Sequence, residues 1–272
     1  MKFGGRRIRH YQRVGLAEHA SVASFSRAAL ELMEHGAPAG LIDRTLVAAR
    51  EEIRHAQMAL ALASSWSAVP LRVTGIDGLS REPAGGDLVD FAKRTINEAC
   101  AGETPAVLKA LVGHHLASDG PVRRYLSAVV AEERRHAELA WVTAGWTLVH
   151  EAESQIRPAE QGRVRGGVDE ALSSVVSSLW AQVNASARDA ASEQSSRLLR
   201  AGIVPKELEA AVAQIAAPLA ERLRSELLHP RLLTDGLPRF ELVVQQQFDQ
   251  ALEEAQRLAS HYSAEEEQQV TV

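Results

Sequence analysis

Hydrophobic residues recur every three or four positions through most of the chain, in long stretches rich in alanine and leucine. This spacing is typical of amphipathic α-helices, and both residue types favour helix. There is no convincing run of alternating β-branched residues, which would indicate strands. The pattern predicts an all-α protein, with helices at about 8–34, 39–67 and 87–117, a fourth that ends near 153, and three more at 168–200, 205–228 and 236–261.

The lengths of the connections predict how these helices pack. Short turns at HGAPAG and SDGPV join the first two helices, and then the next two, as antiparallel hairpins. The long segment SAVPLRVTGIDGLSREPAGGD lies between the two pairs and lets them join as one four-helix bundle with a long crossover. We therefore expect three regions: the bundle at 8–153, a C-terminal helical extension at 168–262 and a disordered acidic tail at 263–272.

Composition narrows the class of protein further. The 272 residues are 46% hydrophobic, and the net charge of −5 argues against a general affinity for nucleic acid or for an anionic membrane surface. A single cysteine, Cys100, excludes an internal disulfide and fits a reducing compartment. No apolar run reaches membrane-spanning length, and the N-terminus lacks the apolar stretch of a signal peptide. We expect a soluble cytoplasmic protein.

Candidate chemistry lies in two nearly identical segments, EEIRHA from residue 51 and EERRHA from residue 132. Residues three apart share one face of a helix, so Glu52 lies beside His55, and Glu133 lies beside His136. In each helix these two polar residues interrupt a stripe that is otherwise small and apolar and faces the predicted core. Buried carboxylates and imidazoles are unfavourable unless they are paired or bound to a metal.

The first and third predicted helices each add one glutamate to the same interior, Glu18 and Glu103, again within apolar stripes. One glutamate from each of two helices, and Glu-x-x-His from each of the other two, can hold two divalent cations inside a bundle. Buried salt bridges without a metal are the alternative interpretation. The predicted metal ligands are Glu18, Glu52, His55, Glu103, Glu133 and His136.

Two residues of the third helix are candidates for its metal ligand. The apolar stripe favours Glu103, whereas the distance along the chain to Glu133 favours Glu98, because it is closer to the spacing between Glu18 and Glu52. Pro105 predicts a local kink, so Glu98 is a possible alternative or additional ligand.

The arginines of the two repeats also have two interpretations. Arg54 and Arg135 either orient the ligand carboxylates from outside the site, or pair with Glu51 and Glu132, which lie off the ligand stripe and otherwise face solvent.

A third Glu-x-x-His occurs at Glu226 and His229, but Pro230 follows at once and no second motif accompanies it. We interpret it as a helix end, where a histidine complements the helix dipole.

Together the motifs EHASV (18–22), ExRHA (52–56), GET (102–104) and ERRHA (133–137) make residues 8–150 similar to the ferritin-like superfamily of di-iron carboxylate proteins, and more narrowly to a bacterial group within it. The resemblance implies a ferritin-like four-helix bundle, Glu103 as the ligand from the third helix, and a cofactor of two iron ions, with manganese possible. It also implies reactions with dioxygen or peroxide.

Three functions are compatible with that resemblance. The first is an oxidase or oxygenase that acts on an unknown small-molecule substrate. The second is a ferroxidase or iron-handling protein, and the third is a structural or interaction module that retains a metal site. The C-terminal extension favours the first, since it can cover a substrate pocket, although it can equally form a homodimer interface.

Overall fold

The computed structural model describes residues 2–76, 86–154, 162–185 and 193–270, and every regular element in these ranges is a helix. The all-α prediction is therefore confirmed. No helix in the described ranges is both long and apolar enough to cross a lipid bilayer. The α-helices are α1 Lys2–Glu34, α2 Ala39–Ser65, α3 Leu88–Arg94, α4 Ala101–Leu116, α5 Gly120–Glu153, α6 Arg163–Ala185, α7 Glu193–Arg200, α8 Lys206–Leu227, α9 Arg231–Asp235 and α10 Leu237–Val270.

Two long hairpins position the candidate ligands. Helices α1 and α2 pack along each other after a tight turn in which Gly36 takes a φ of 71°, a value that favours glycine. Helices α4 and α5 form the second hairpin, and α2 contacts α5 across the interior. The described parts of the predicted crossover, 66–76 and 86–87, contain no helix, and residues 77–85 lie outside the description.

The third predicted helix, at 87–117, is not continuous. It begins where the Asp87 side chain accepts hydrogen bonds from the backbone N–H groups of Val89 and Asp90. A π-helical segment, Thr95–Cys100, then separates α3 from α4, and the Ala101 N–H donates to the carbonyl five residues back. The irregular turn thus precedes Pro105, which lies inside α4, and it lies beside a candidate ligand, where such wide turns are frequent.

The C-terminal helices share a core with the second hairpin. Helix α8 packs against both α6 and α10, all three pack against α4 or α5, and one apolar cluster runs through all five. Trp141 is fully buried within it and donates its indole N–H to the hydroxyl of Thr104 at 3.0 Å.

The last helix extends to Val270, so the backbone of 263–270 is helical where the sequence predicted a disordered tail. Alanine, glutamate and glutamine fill most of this segment, and these residues favour helix.

A short turn after α7 ties the extension to both hairpins. The Tyr11 hydroxyl donates to the carbonyl of Ala201 at 2.8 Å, and the backbone N–H groups of Ser118 and Asp119 approach the carbonyl of Arg200 at 3.1 and 3.3 Å. Gly202 follows with a φ of 66°, and a Cβ at this residue would lie only 2.6 Å from a Val122 methyl group. The turn therefore needs glycine both for its backbone conformation and for lack of space.

We expect Gly202→Ala to lower the free energy of unfolding by about 2–4 kcal/mol, because it combines left-handed backbone strain with overpacking. Urea unfolding followed by circular dichroism measures the change. Gly36→Ala is the matched control, since Gly36 has a similar φ of 71° but no atom within 4 Å of the added Cβ. It should lose only about 1–2 kcal/mol. Equal losses in the two variants would contradict the packing argument for Gly202.

Candidate metal centre

All six predicted ligands come together between the two hairpins. Their donor atoms form two groups that share one residue, and within each group the atoms lie no more than 4.8 Å apart. Four of the six side chains are buried, whereas Glu18 and Glu103 are partly exposed. The first group is Glu18, Glu52, His55 and Glu133, and the second is Glu103, Glu133 and His136.

The inner faces of the buried ligands lie within ion-pair distance of one another. Nδ1 of His55 lies 3.1 Å from Oε1 of Glu133, and Nδ1 of His136 lies 2.8 Å from Oε1 of Glu52. In the described part of the chain, both Nδ1 atoms and one oxygen of each of these two carboxylates are buried without a hydrogen-bond partner. Buried polar atoms nearly always have partners. Four orphaned donor atoms that face one space are what a bound cation would satisfy.

The outer nitrogen of each histidine is held by the other repeat. Nε2 of His55 lies 2.8 Å from a carboxylate oxygen of Glu132, and Nε2 of His136 lies 2.9 Å from one of Glu51. A carboxylate can only accept there, so each Nε2 carries the proton when the ring is neutral. This leaves the Nδ1 lone pair directed at the proposed cations, and the carboxylate fixes both tautomer and ring orientation.

The two arginines of the repeats do not contact the predicted ligands directly. Arg54 pairs with Glu132, and Nη2 of Arg135 donates to Glu51 at 2.7 Å. In these contacts they support the carboxylates that hold the histidines, not the predicted ligand carboxylates. Pairing of the arginines with Glu51 and Glu132 was one of the two sequence interpretations; that the pairs cross from one repeat to the other was missed. The repeated Glu-Glu doublet was the available signal.

Glu98 and Glu103 occupy different surroundings. The Glu98 side chain is 49% exposed and lies 3.4 Å from Nη2 of Arg27, outside both groups of donor atoms. Glu103, in the first turn of α4, reaches Glu133 and His136. The geometry therefore favours Glu103 over Glu98 as the ligand from this part of the chain.

The remaining candidates take lesser roles. Helix α8 ends at Leu227, and Nδ1 of His229 accepts the backbone N–H of Arg231 at 3.1 Å, as expected for a helix end. Cys100 is buried, and burial together with Glu103 raises the pKa of its thiol, so it is a core residue. Tyr125 was missed: it lies on the apolar stripe of α5, is buried, and lines one cavity together with Glu18 and Glu133.

Four close carboxylates make the site strongly electronegative. Burial, followed by the negative charge of Glu133, raises the pKa of both Glu18 and Glu103 well above the usual range. Burial opposes protonation of His55, but Glu133 and Glu52 outweigh it and raise its pKa to about 11. Burial likewise opposes ionisation of Glu52, yet the two histidines lower its pKa to about 2. In the absence of cations, bound protons therefore compensate the negative charge of the carboxylates.

The donor set fits a pair of divalent cations. Four carboxylates balance the charge of two such ions, and mixed carboxylate and imidazole ligands suit iron or manganese. The four orphaned inner atoms supply the independent structural support for this fit.

We expect the affinity for Fe²⁺ to decrease as the pH falls from 8 to 6. Glu18, Glu103, His55 and His136 all have raised pKa values, so binding must displace protons from them, and lower pH favours the protonated, cation-free state. For each proton that binding releases, the affinity for Fe²⁺ falls about tenfold when the pH falls by one unit. Anaerobic calorimetry in two buffers of different ionisation enthalpy counts these protons, and an affinity independent of pH would contradict the assigned ligands.

Three cavities in the described ranges touch the centre. The larger cavity, about 390 Å³, touches Glu18, Glu103 and Glu133 and also has the exposed residues Glu98 and Gly102 in its wall, so it extends from the site to the surface. A cavity of about 240 Å³ touches His136, and one of about 110 Å³ touches Glu103. The chain matches no protein-family model, no curated protein and no solved structure.

Proposed function

We propose that the chain is a ferritin-like di-iron carboxylate protein that acts as an oxidase or oxygenase on a small-molecule substrate. In this proposal α1, α2, α4 and α5 are the four helices of the bundle, and the six clustered side chains hold two iron ions. The observation that carries it is the set of four buried atoms on α2 and α5 without hydrogen-bond partners, which belong to residues whose ligand atoms lie within 4.8 Å of one another in each group.

Two bound ferrous ions would supply electrons to dioxygen or peroxide. The protein residues provide the surroundings for that chemistry. Glu51 and Glu132 keep the histidine lone pairs directed inward, and the long helices keep the ligands in place. Glu18 and Glu103 line the larger cavity, where a substrate would meet the site. The ring of Phe25 packs edge-on against that of His136, with 5.2 Å between the ring centres.

The larger cavity favours an oxidase or oxygenase over an iron-storage role. The cavity of about 390 Å³ has the size of a small-molecule pocket, and apolar atoms form most of its wall surface between the glutamates that also line it. Three residues of the C-terminal extension, Gly202, Val204 and Glu209, line this cavity, which supports a pocket that the extension covers.

Metal analysis and oxygen uptake test the proposal. Protein produced with iron should contain about two iron ions per chain, as the two donor groups imply. Oxygen consumption that needs both a reductant and an organic compound would support an oxidase or oxygenase. Consumption that only follows added Fe²⁺, with accumulation of ferric mineral, would support iron handling. Absence of iron from the purified protein would contradict the metal site itself.

A further inference from the structure

We propose that the larger cavity binds a neutral, mainly apolar small molecule, and that the C-terminal extension completes its wall. The role of this molecule as substrate rests on the proposed function, whereas its binding does not. Three proposed metal ligands, Glu18, Glu103 and Glu133, line this cavity, and so does the turn after α7.

Apolar atoms make up most of the wall surface, and apolar side chains from three helices and the turn supply part of it. They project from α1, α4 and α5 and from the turn, and they surround the space above the ligand carboxylates. These residues are Val14, Ala106, Ala110, Leu126, Val129 and Val204. The two alanines on α4 leave the space open, because their side chains end at Cβ. A ligand here would be held chiefly by removal of apolar surface from water.

The charged groups in the wall already have partners. Nζ of Lys109 lies 3.8 Å from Glu209, and Glu98 pairs with Arg27 at 3.4 Å. The ligand carboxylates would be neutralised by the two cations. A charged ligand would therefore lose hydration without gaining an ionic partner, which is unfavourable in a largely apolar space.

His10 also lies in the wall, is not a proposed metal ligand, and adds no charge at neutral pH. Burial, together with the nearby positive charge of Arg13, lowers the pKa of its side chain to about 4.

The extension supplies a fixed part of the wall. Gly202, Val204 and Glu209 line the cavity, and the turn that carries the first two is anchored by the hydrogen bond from Tyr11 to Ala201. The lack of space around Gly202 shows that this turn is packed closely against α5. Without it, the cavity would be an open groove between the first and second hairpins. This assigns a role to a segment that lies far from the ligand motifs in sequence.

Three naphthalene compounds of equal ring size test the chemical class. These are 2-naphthalenemethanol, which is neutral, 2-naphthoate, which is anionic, and 2-naphthylmethylammonium, which is cationic. Their binding is measured by fluorescence titration with the ferrous protein under argon, so that no oxygen reaction occurs. We expect the neutral compound to bind at least about tenfold more tightly than either ion, as the desolvation argument requires. Equal or tighter binding of an ion, or no binding of all three, would overturn the proposal.

Ala110→Phe tests the location. Ala110 lies two turns beyond Glu103, far enough along α4 to leave the ligands undisturbed, and a phenyl ring there would fill the cavity. We expect binding of the neutral compound to weaken at least about tenfold, at unchanged iron content. Ala61→Phe, at an exposed position on α2, is the matched control and should bind like the unaltered protein. Unchanged binding in Ala110→Phe would overturn the location.

Glu209→Gln provides a second test that does not threaten the fold, since the residue lies at the half-exposed rim. It leaves Lys109 without its carboxylate partner, so 2-naphthoate should gain about two- to fivefold in affinity. No gain would contradict the charge argument.

Iron content measured on the same samples separates the two hypotheses. Iron without naphthalene binding overturns only the cavity proposal, and naphthalene binding without iron overturns only the metal proposal.

Discussion

Replacing Glu133 with alanine should remove at least one of the two metal ions from each chain while the helices remain formed. Glu133 is the residue that the two groups of donor atoms share, so its loss leaves each group short of a carboxylate. The fold should survive, because α5 is held chiefly by its buried apolar contacts with α4 and α10, which the substitution leaves in place. Metal content by mass spectrometry and helix content by circular dichroism, measured on protein produced with iron, check both parts.

Glu98→Ala is the matched control for this experiment. Glu98 is also a glutamate at the edge of the cavity, but it is half-exposed and pairs with Arg27 instead of the cluster. Its removal should leave both ions in place, whereas Glu103→Ala should lower the metal content. If Glu133→Ala retains the full metal content, the assignment of Glu133 is wrong. If Glu98→Ala loses metal and Glu103→Ala does not, the choice between these two residues is reversed.

The clustering of the six candidate side chains could be predicted from the sequence because its signal is local. A carboxylate such as Glu52 in an otherwise apolar stripe is conspicuous whatever the helix packs against, and the repeat at Glu133 doubles the signal. The helices were predictable for the same reason, since the period of the apolar positions is a property of each segment alone. Their approximate bounds follow from glycine and proline at the turns.

The contacts that surround the ligands depend on how distant segments meet, and the sequence did not predict them. Glu51 reaches Arg135 and His136 only because α2 and α5 cross with their repeats face to face. The π-helical turn before α4 depends on a shift of backbone hydrogen bonds by one residue, which no side-chain pattern in this segment indicates. The contact between Tyr11 and Ala201 joins segments from opposite ends of the chain.

The crossed pairs lead to the second large effect: Glu51→Ala and Glu132→Ala should each weaken Fe²⁺ binding about 10- to 100-fold, although neither residue is a proposed ligand. Each carboxylate holds Nε2 of one histidine, and loss of such a partner frees the ring to rotate and makes its other nitrogen a weaker ligand. Competition with a chelator of known affinity, under argon, measures the change. Glu51→Gln should recover part of the loss, since the amide oxygen still accepts the imidazole N–H.

Glu138→Ala separates this positioning effect from a general loss of buried negative charge. Glu138 is also a buried glutamate on α5, but it pairs with Arg134 at 2.7 Å and contacts neither histidine. Its removal should leave the affinity for Fe²⁺ nearly unchanged. An equal loss in all three alanine variants would mean that net charge, and not histidine orientation, governs binding. The double variant of Glu51 and Glu132 should lose less than the product of the single effects, because both histidines belong to one cluster and their contributions are coupled.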